Sequence, residues 1–284
     1  RYELMKWKII ADSGCDYRSL DNLASDTEFV SVPLTLQVGE TIYRDDAQLN
    51  IDQMMEEMYA TTTASKSACP SPDDYMKSFE GADNIIVVTI TGTLSGSYNS
   101  AEIAKKIYIE EHPDTKIHVI DSLSAGGEVD LLVRKLNHLV AEGLEFDQVL
   151  DAITAYQAKT KLLFVLAKVD NLVKNGRLSK LVGTVVGLLN IRMVGEASKT
   201  GTLELLQKAR GHKKAIKAAF DELIKAGYTG GHITIAHRNN DKFIEQFSAL
   251  VREKFAQASI EVLPTSGLCS FYAEEGGLLM GYEI

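Results

Sequence analysis

The sequence predicts a two-domain α/β protein, with a parallel-sheet N-terminal domain over residues 5–160 and a mixed-sheet C-terminal domain over residues 161–284. Three observations carry that expectation. Apolar strand-like runs alternate with helix-spaced runs, the turns after the N-terminal strands are rich in Ser and Gly, and the second half adds a strand–turn–strand pair. A chain of 284 residues with 45% hydrophobic and 24% charged residues has enough apolar material for two ordinary cores.

Taken in order, Lys8–Ala11 reads as a strand entering Asp12-Ser13-Gly14. Ile85–Ile90 is a buried strand by its β-branched density, and it enters Thr91-Gly92-Thr93-Leu94-Ser95-Gly96. A helix follows with Ala101, Ala104 and Ile107 at helical spacing, then a strand at Ile117–Ile120 entering Asp121-Ser122-Leu123-Ser124-Ala125-Gly126-Gly127. Val129, Leu132, Val133, Leu136 and Val140 mark the next helix, and Phe146, Val149, Ile153 and Tyr156 another. The rhythm implies right-handed crossovers that bring all three turns to the carboxyl ends of parallel strands, where open α/β sheets place ligands.

The second half opens with a strand at Leu162–Leu166 and a short helix ending near Gly176. Leu178–Leu189 reads as an apolar helix, and Ile191–Ala197 and Thr202–Gln207 as strands joined by Lys199-Thr200-Gly201. Helices bearing Ile216, Ala219 and Leu223, and Phe243, Phe247, Leu250 and Val251, alternate with strands at Ile233–Ala236 and Ile260–Leu263. Leu278–Tyr282 is the last strand.

The formal charge of −9 argues against a nucleic-acid partner. No apolar run approaches the ~20 residues of a membrane span, and the start carries no signal-peptide core. We read Met5 as the native start and Arg1–Leu4 as an added remnant. Cys15, Cys69 and Cys269 lie far apart without metal or redox spacing, which fits reduced thiols in the cytoplasm.

Ser95 and Ser97 flank Gly96 at a helix start, where free N–H groups and the helix dipole favour a carboxylate or phosphate. Gly96 would let a ligand approach. Ser95 on its own reads equally as a helix cap. Ser65–Pro72 reads as a proline-stiffened loop holding hydroxyls in place, with Ser71 capping a helix at Asp73-Asp74. The phosphate-binding G-x-x-x-x-G-K-[ST] loop, the dinucleotide G-x-G-x-x-G and the G-x-S-x-G nucleophile elbow are absent from the sequence. One of Asp12 and Asp16 reads as a helix cap; His232 and His237 fall on opposite strand faces; Asp45-Asp46 and Glu274-Glu275 do not converge. No catalytic base and no cofactor emerge. Arg177, Arg192 and Arg210 face either a partner or phosphate, or solvent.

In order along nearly the whole chain, these residues resemble the DegV family of bacterial fatty-acid-binding proteins. The resemblance rests on Ala11-Asp12-Ser13, Tyr43-Arg44-Asp45-Asp46, Ser67-Ala68-Cys69-Pro70 and Leu94-Ser95-Gly96-Ser97-Tyr98. Asp121-Ser122, Asn175-Gly176-Arg177-Leu178, Lys208-Ala209-Arg210, and Gly276-Gly277-Leu278 through Gly281-Tyr282 complete it. The family enclose one long-chain fatty acid between two domains and hold its carboxylate on hydroxyls of the motifs that here carry Ser67 and Ser95. The resemblance therefore implies a fatty acid of about C14–C18 bound by Ser67, Ser95, Gly96 and Ser97, the tail contributing most of the affinity at ~0.8 kcal/mol per methylene. Ser13, Ser122, Arg210 and Tyr272 would support the head group or contact a partner. It also implies a fatty acid kinase as partner, to which the protein presents the acyl chain. Ser67 stands where the family has threonine, Ala68 and Cys69 where it has serine and glutamine, and Tyr272 where it commonly has histidine. The other readings are a phosphotransferase or lipid hydrolase on a similar frame, and an interaction protein that senses lipid.

Overall fold

In the computed structural model, which describes residues 5–178 and 189–284, the chain begins with two parallel strands, β1 (Trp7–Asp12) and β2 (Thr27–Val32). A hairpin, β3 (Thr35–Val38) and β4 (Thr41–Arg44), precedes α1 (Ile51–Ala60), β5 (Lys66–Ala68) and α2 (Pro72–Phe79). The β-branched run forms β6 (Asn84–Thr89), followed by α3 (Ser97–Glu111), β7 (Lys116–Asp121), α4 (Gly127–Ala141) and α5 (Phe146–Gln157). Next come β8 (Thr160–Leu166), α6 (Asp170–Lys174), β9 (Ile191–Ala197), β10 (Leu203–Arg210) and α7 (His212–Lys225). The chain ends with β11 (Ile233–His237), α8 (Asp241–Lys254), β12 (Ile260–Pro264), α9 (Gly267–Ala273) and β13 (Leu278–Glu283). Most of the apolar helix expected at Leu178–Leu189 lies outside the described residues.

The first sheet, in the order β2-β1-β6-β7, is entirely parallel. Strand side chains alternate between faces, and here both faces are covered. Ile9, Ala11, Ile86 and Val88 meet α4 and α5, while Ile10, Ile85 and Val87 meet Tyr75 and Phe79 of α2 and Ala101 and Ala104 of α3. Ile107 departs from the expected buried stripe and is exposed, because Tyr108 turns towards Phe79 in its place.

The second sheet runs β10-β9-β8-β13-β11-β12 and is mixed, parallel only between β11 and β12. One face packs on α7 and α8 through Leu163, Val165, Ile235, Phe243 and Phe247. α4 contacts β13, β11 and β8 of this sheet as well as β1 and β6 of the first, so it lies between the two. Close approach needs Gly127 and Gly281, since a Cβ on either would overlap the other's backbone. β10 runs to Arg210, beyond the expected Gln207, as an edge strand with a bulge between Leu205 and Gln207.

The short strands β4-β3-β5 form a third sheet absent from the sequence reading, as are β2, α1 and α9. Its position corrects the reading of Ser65–Pro72 as a loop stiffened by proline. Lys66–Ala68 pair with β3, placing Ser67 opposite Leu36, so sheet register sets its position. Ser71 caps α2 as expected, with a reciprocal capping box through Asp74.

Candidate functional site

The turns after β1, β6 and β7 meet, as their places on adjacent parallel strands require, and backbone bonds stitch them together. Gly126 N–H donates to the Gly14 carbonyl (2.9 Å) and Thr91 N–H to the Ser124 carbonyl (2.8 Å). Asp12 lies at the centre. Its carboxylate accepts from the N–H groups of Gly14 and Ile90 (2.9 Å each) and from the Ser97 hydroxyl (2.5 Å). Burial pushes the Asp12 carboxyl up to about 6, against the pull of those donors. Asp12 thus braces a loop instead of capping a helix. Asp16 accepts from the N–H of Ser266, the residue that caps α9, so it too ties distant segments together.

Of the three turns, only the middle one opens broadly on a cavity, a narrow one whose space comes to about 680 Å³ when its open mouth is included. Most of the lining is apolar: Leu34, Ile90 and Leu94 on one side, Phe164, Leu166 and Leu279 from the second sheet, Leu172 and Leu203, and Leu268, Cys269 and Ala273 of α9. Ala125 completes the apolar wall, and the polar lining groups are Ser67, Thr91, Ser95, Tyr272 and Arg177.

Ser67 Oγ lies 2.5 Å from the Tyr272 hydroxyl, joining β5 to α9. Burial pushes the Tyr272 phenol above its ordinary value, with Ser67 and the Arg177 charge pulling it back, so the group stays a neutral donor. Ser95 Oγ accepts from the Ser97 N–H (3.2 Å), which leaves its own proton free to donate. Among the described residues neither serine bonds an imidazole or carboxylate, the partner that nucleophilic attack would need. Thr91 is occupied by the Gly201 carbonyl (2.8 Å), and Thr93 by that of Thr200 (2.5 Å), which docks the β9–β10 hairpin onto the turn.

Arg177 is the lining residue whose role the sequence left open. The turn Asn175-Gly176-Arg177 reverses at Gly176, with φ +71°, and ties the two serine-bearing segments together. Asn175 donates to the Ser65 carbonyl (3.1 Å), beside β5, and Arg177 Nε to the Leu94 carbonyl (3.1 Å), beside Ser95. The basic group is therefore half-buried at the cavity and not at a remote surface.

The other expected site residues fall elsewhere. Ser97 is fully buried, with its hydroxyl between Asp12 and Tyr75 (2.6 Å), and does not line the cavity. Gly96 does not line it either; a Cβ there would come within 3.0 Å of Cys69 Sγ, so its bareness admits a thiol. Ser13 accepts from the Leu34 N–H (2.9 Å) and Ser122 closes its own turn on Ser124, so both brace the loops. Arg210 is exposed at the end of β10.

The adjacent acidic pairs diverge, as expected. Asp45 accepts from the N–H groups of Gly267 and Leu268 (2.9 and 2.8 Å) and pairs with Arg18, anchoring α9, whereas Asp46 closes its own turn on Gln48. Glu274 receives the Asn171 N–H and the Tyr59 hydroxyl, and Glu275 pairs with Arg238. No helix among the described residues is long and apolar enough to cross a membrane.

The family model described as "Uncharacterised protein, DegV family" matches residues 6–282. A DegV domain-containing protein of Streptococcus gordonii is 74% identical over 280 residues, which cover 99% of this chain and 100% of that protein. A solved structure of the Streptococcus pneumoniae fatty acid kinase (Fak) B3 protein loaded with linoleic acid is 75% identical, covers 99% of this chain and 100% of its own, and superposes with a TM-score of 0.98. A DegV family protein from Eubacterium eligens loaded with heptadecanoic acid is 37% identical, with coverage of 98% and 99% and a TM-score of 0.93. By sequence along its whole length, the chain belongs to the DegV family.

Proposed function

We propose that this protein binds one long-chain fatty acid, its carboxylate on the Ser67 and Ser95 hydroxyls and its tail in the apolar cavity. The observation that carries the reading is the cavity itself: an apolar enclosure whose hydroxyl donors come from β5, the turn after β6 and α9. A buried carboxylate is costly without donors, and these groups supply them. Arg177 adds a positive field beside Ser95, while its bonds to backbone carbonyls keep it from closing as a fork on the carboxylate. Fatty acids in the related solved structures support the same reading.

In this reading residues 5–160 hold the head group and residues 161–284 form much of the acyl wall. The ligand is an acid of about C14–C18, each buried methylene contributing ~0.8 kcal/mol before the cost of ordering the chain. The protein works in the cytoplasm as a carrier, with no catalytic step of its own, and presents the acid to a fatty acid kinase as an acyl or acyl-phosphate carrier. The S. pneumoniae relative, a fatty acid kinase B3 protein, supports the kinase as partner.

Native mass spectrometry of the recombinant protein tests the reading. A co-purified C14–C18 acid is the expected result; a lipid-free protein that consumes ATP unaided overturns it. Ser95→Ala and Ser67→Ala should each weaken palmitate binding by about 1.5–3 kcal/mol, the value of a hydrogen bond to a charged group. Unchanged affinity in both would place the head group elsewhere.

A further inference from the structure

Phe164 lies at the floor of the cavity. Register across the second sheet places Leu205, Gly195, Phe164 and Leu279 in one row, on adjacent strands β10, β9, β8 and β13. A strand side chain ordinarily stands roughly perpendicular to its sheet, which here would drive the ring into the lumen. Instead the ring leans onto the neighbouring strand: a Cβ on Gly195 would overlap its tip and stand 2.6 Å from Cε2. The next floor residue, Leu279, packs against a different glycine, Gly126 at the start of α4. Its Cβ and Cδ1 lie 2.7 Å from where Gly126 would carry a Cβ. Across from this floor, α9 turns Cys269 and Ala273 towards the cavity, both small and one helical turn apart.

A glycine beneath the Phe164 ring, another beside Leu279 and small residues opposite them add width to the cavity, more than length. Width matters little to a straight saturated chain, which is slender. It matters to a chain bent by cis double bonds, whose flanking segments swing sideways and need lateral room. We propose that Phe164, laid over Gly195, sets the width of the acyl cavity and thereby its acceptance of cis-unsaturated chains against saturated ones. The proposal rests on the fatty-acid reading of the cavity and deepens it, assigning the substrate shape to a residue pair that does not touch the head group.

Competition between linoleic and stearic acid tests it, because the two share eighteen carbons and a carboxylate and differ in two cis double bonds and the bends these impose. Gly195→Ala lifts the ring and should lower the linoleate-to-stearate affinity ratio by about tenfold, the scale set by one methyl group in an apolar pocket. Adding Phe164→Leu to that variant removes the lifted ring and should restore the ratio to near the wild-type value. A ratio unchanged in Gly195→Ala overturns the proposal. So does a double variant that stays as low as the single one, since the displaced Glu204 carbonyl, which the new Cβ also meets, would then be the cause. If Gly195→Ala does not fold, Phe164→Leu and Phe164→Trp should move the ratio in opposite directions, and equal ratios overturn the proposal. Wild-type protein that binds neither acid refutes the fatty-acid reading itself, which separates the two failures.

Discussion

Replacing Asp45 by alanine removes the anchor of α9, the element that carries Leu268, Cys269, Tyr272 and Ala273 to the cavity. In the native protein its buried carboxylate takes two backbone N–H groups, from Gly267 and Leu268, and the Arg18 guanidinium. Each buried donor left without an acceptor costs about 1–3 kcal/mol, and breaking a buried ion pair by deleting one partner costs about 3–5 kcal/mol. These overlap, because Arg18 keeps some solvent access, so the expected loss is about 4 kcal/mol. For a chain of this size that lowers Tm by about 10 °C. Urea unfolding at pH 7, read by tryptophan fluorescence and far-ultraviolet circular dichroism, measures it directly. Asp45→Asn, which retains one acceptor oxygen, should lose about half as much, and Arg18→Ala less again, because both N–H groups keep their carboxylate. An Asp45→Ala loss below about 1 kcal/mol would refute the assignment of Asp45 as the tether of α9.

Other consequences are as direct. Asp12, pushed to about 6 in the folded protein against an ordinary value of 3.8, binds more protons folded than unfolded between those limits. Its contribution therefore stabilises at low pH and is lost as pH rises through about 6. Relative to Asp12→Asn, the wild type should gain about 2 kcal/mol on acidification from pH 7 to pH 4. Parallel stability–pH curves for the two proteins would contradict this. Cys69 is exposed whereas Cys15 and Cys269 are buried, their thiols pushed well up by burial, so native protein should titrate one thiol quickly and unfolded protein three. Tyr272→Phe keeps the ring packed and deletes the hydroxyl beside Ser67, so palmitate binding should weaken by about 1 kcal/mol with little change in Tm. An equal loss in both measurements would make the hydroxyl structural.

The elements legible in the sequence were those whose residues face one way over several turns or strands. β6 is buried on both faces and reads as an unbroken apolar run, and α8 repeats Phe243, Phe247 and Val251 at helical spacing. The third sheet was not legible because its strands are three or four residues long, too short for a period to show. α9 carries buried side chains on nearly every side, so no polar face marks it as a helix. At the cavity, the serine turns could be recognised, but not the rotation of each hydroxyl. Ser95 and Ser97 are two residues apart in one turn, yet one lines the cavity and the other bonds Asp12. The role of Arg177 stayed open between ligand or partner and solvent, because its partner, the Leu94 carbonyl, lies 83 residues away in the chain.

The helix between the two main sheets also constrains how the chain comes apart. Eleven of the fifteen residues of α4 are buried, and its first residue touches β13 backbone to backbone at Gly127 and Gly281. Opening either sheet strips one side of this helix and exposes apolar surface that the other sheet alone does not cover. The two halves should therefore melt in one transition, with fluorescence and circular dichroism tracing the same curve. A methyl group at Gly281, wedged into that contact, should split the curve in two before it lowers the stability of either sheet on its own.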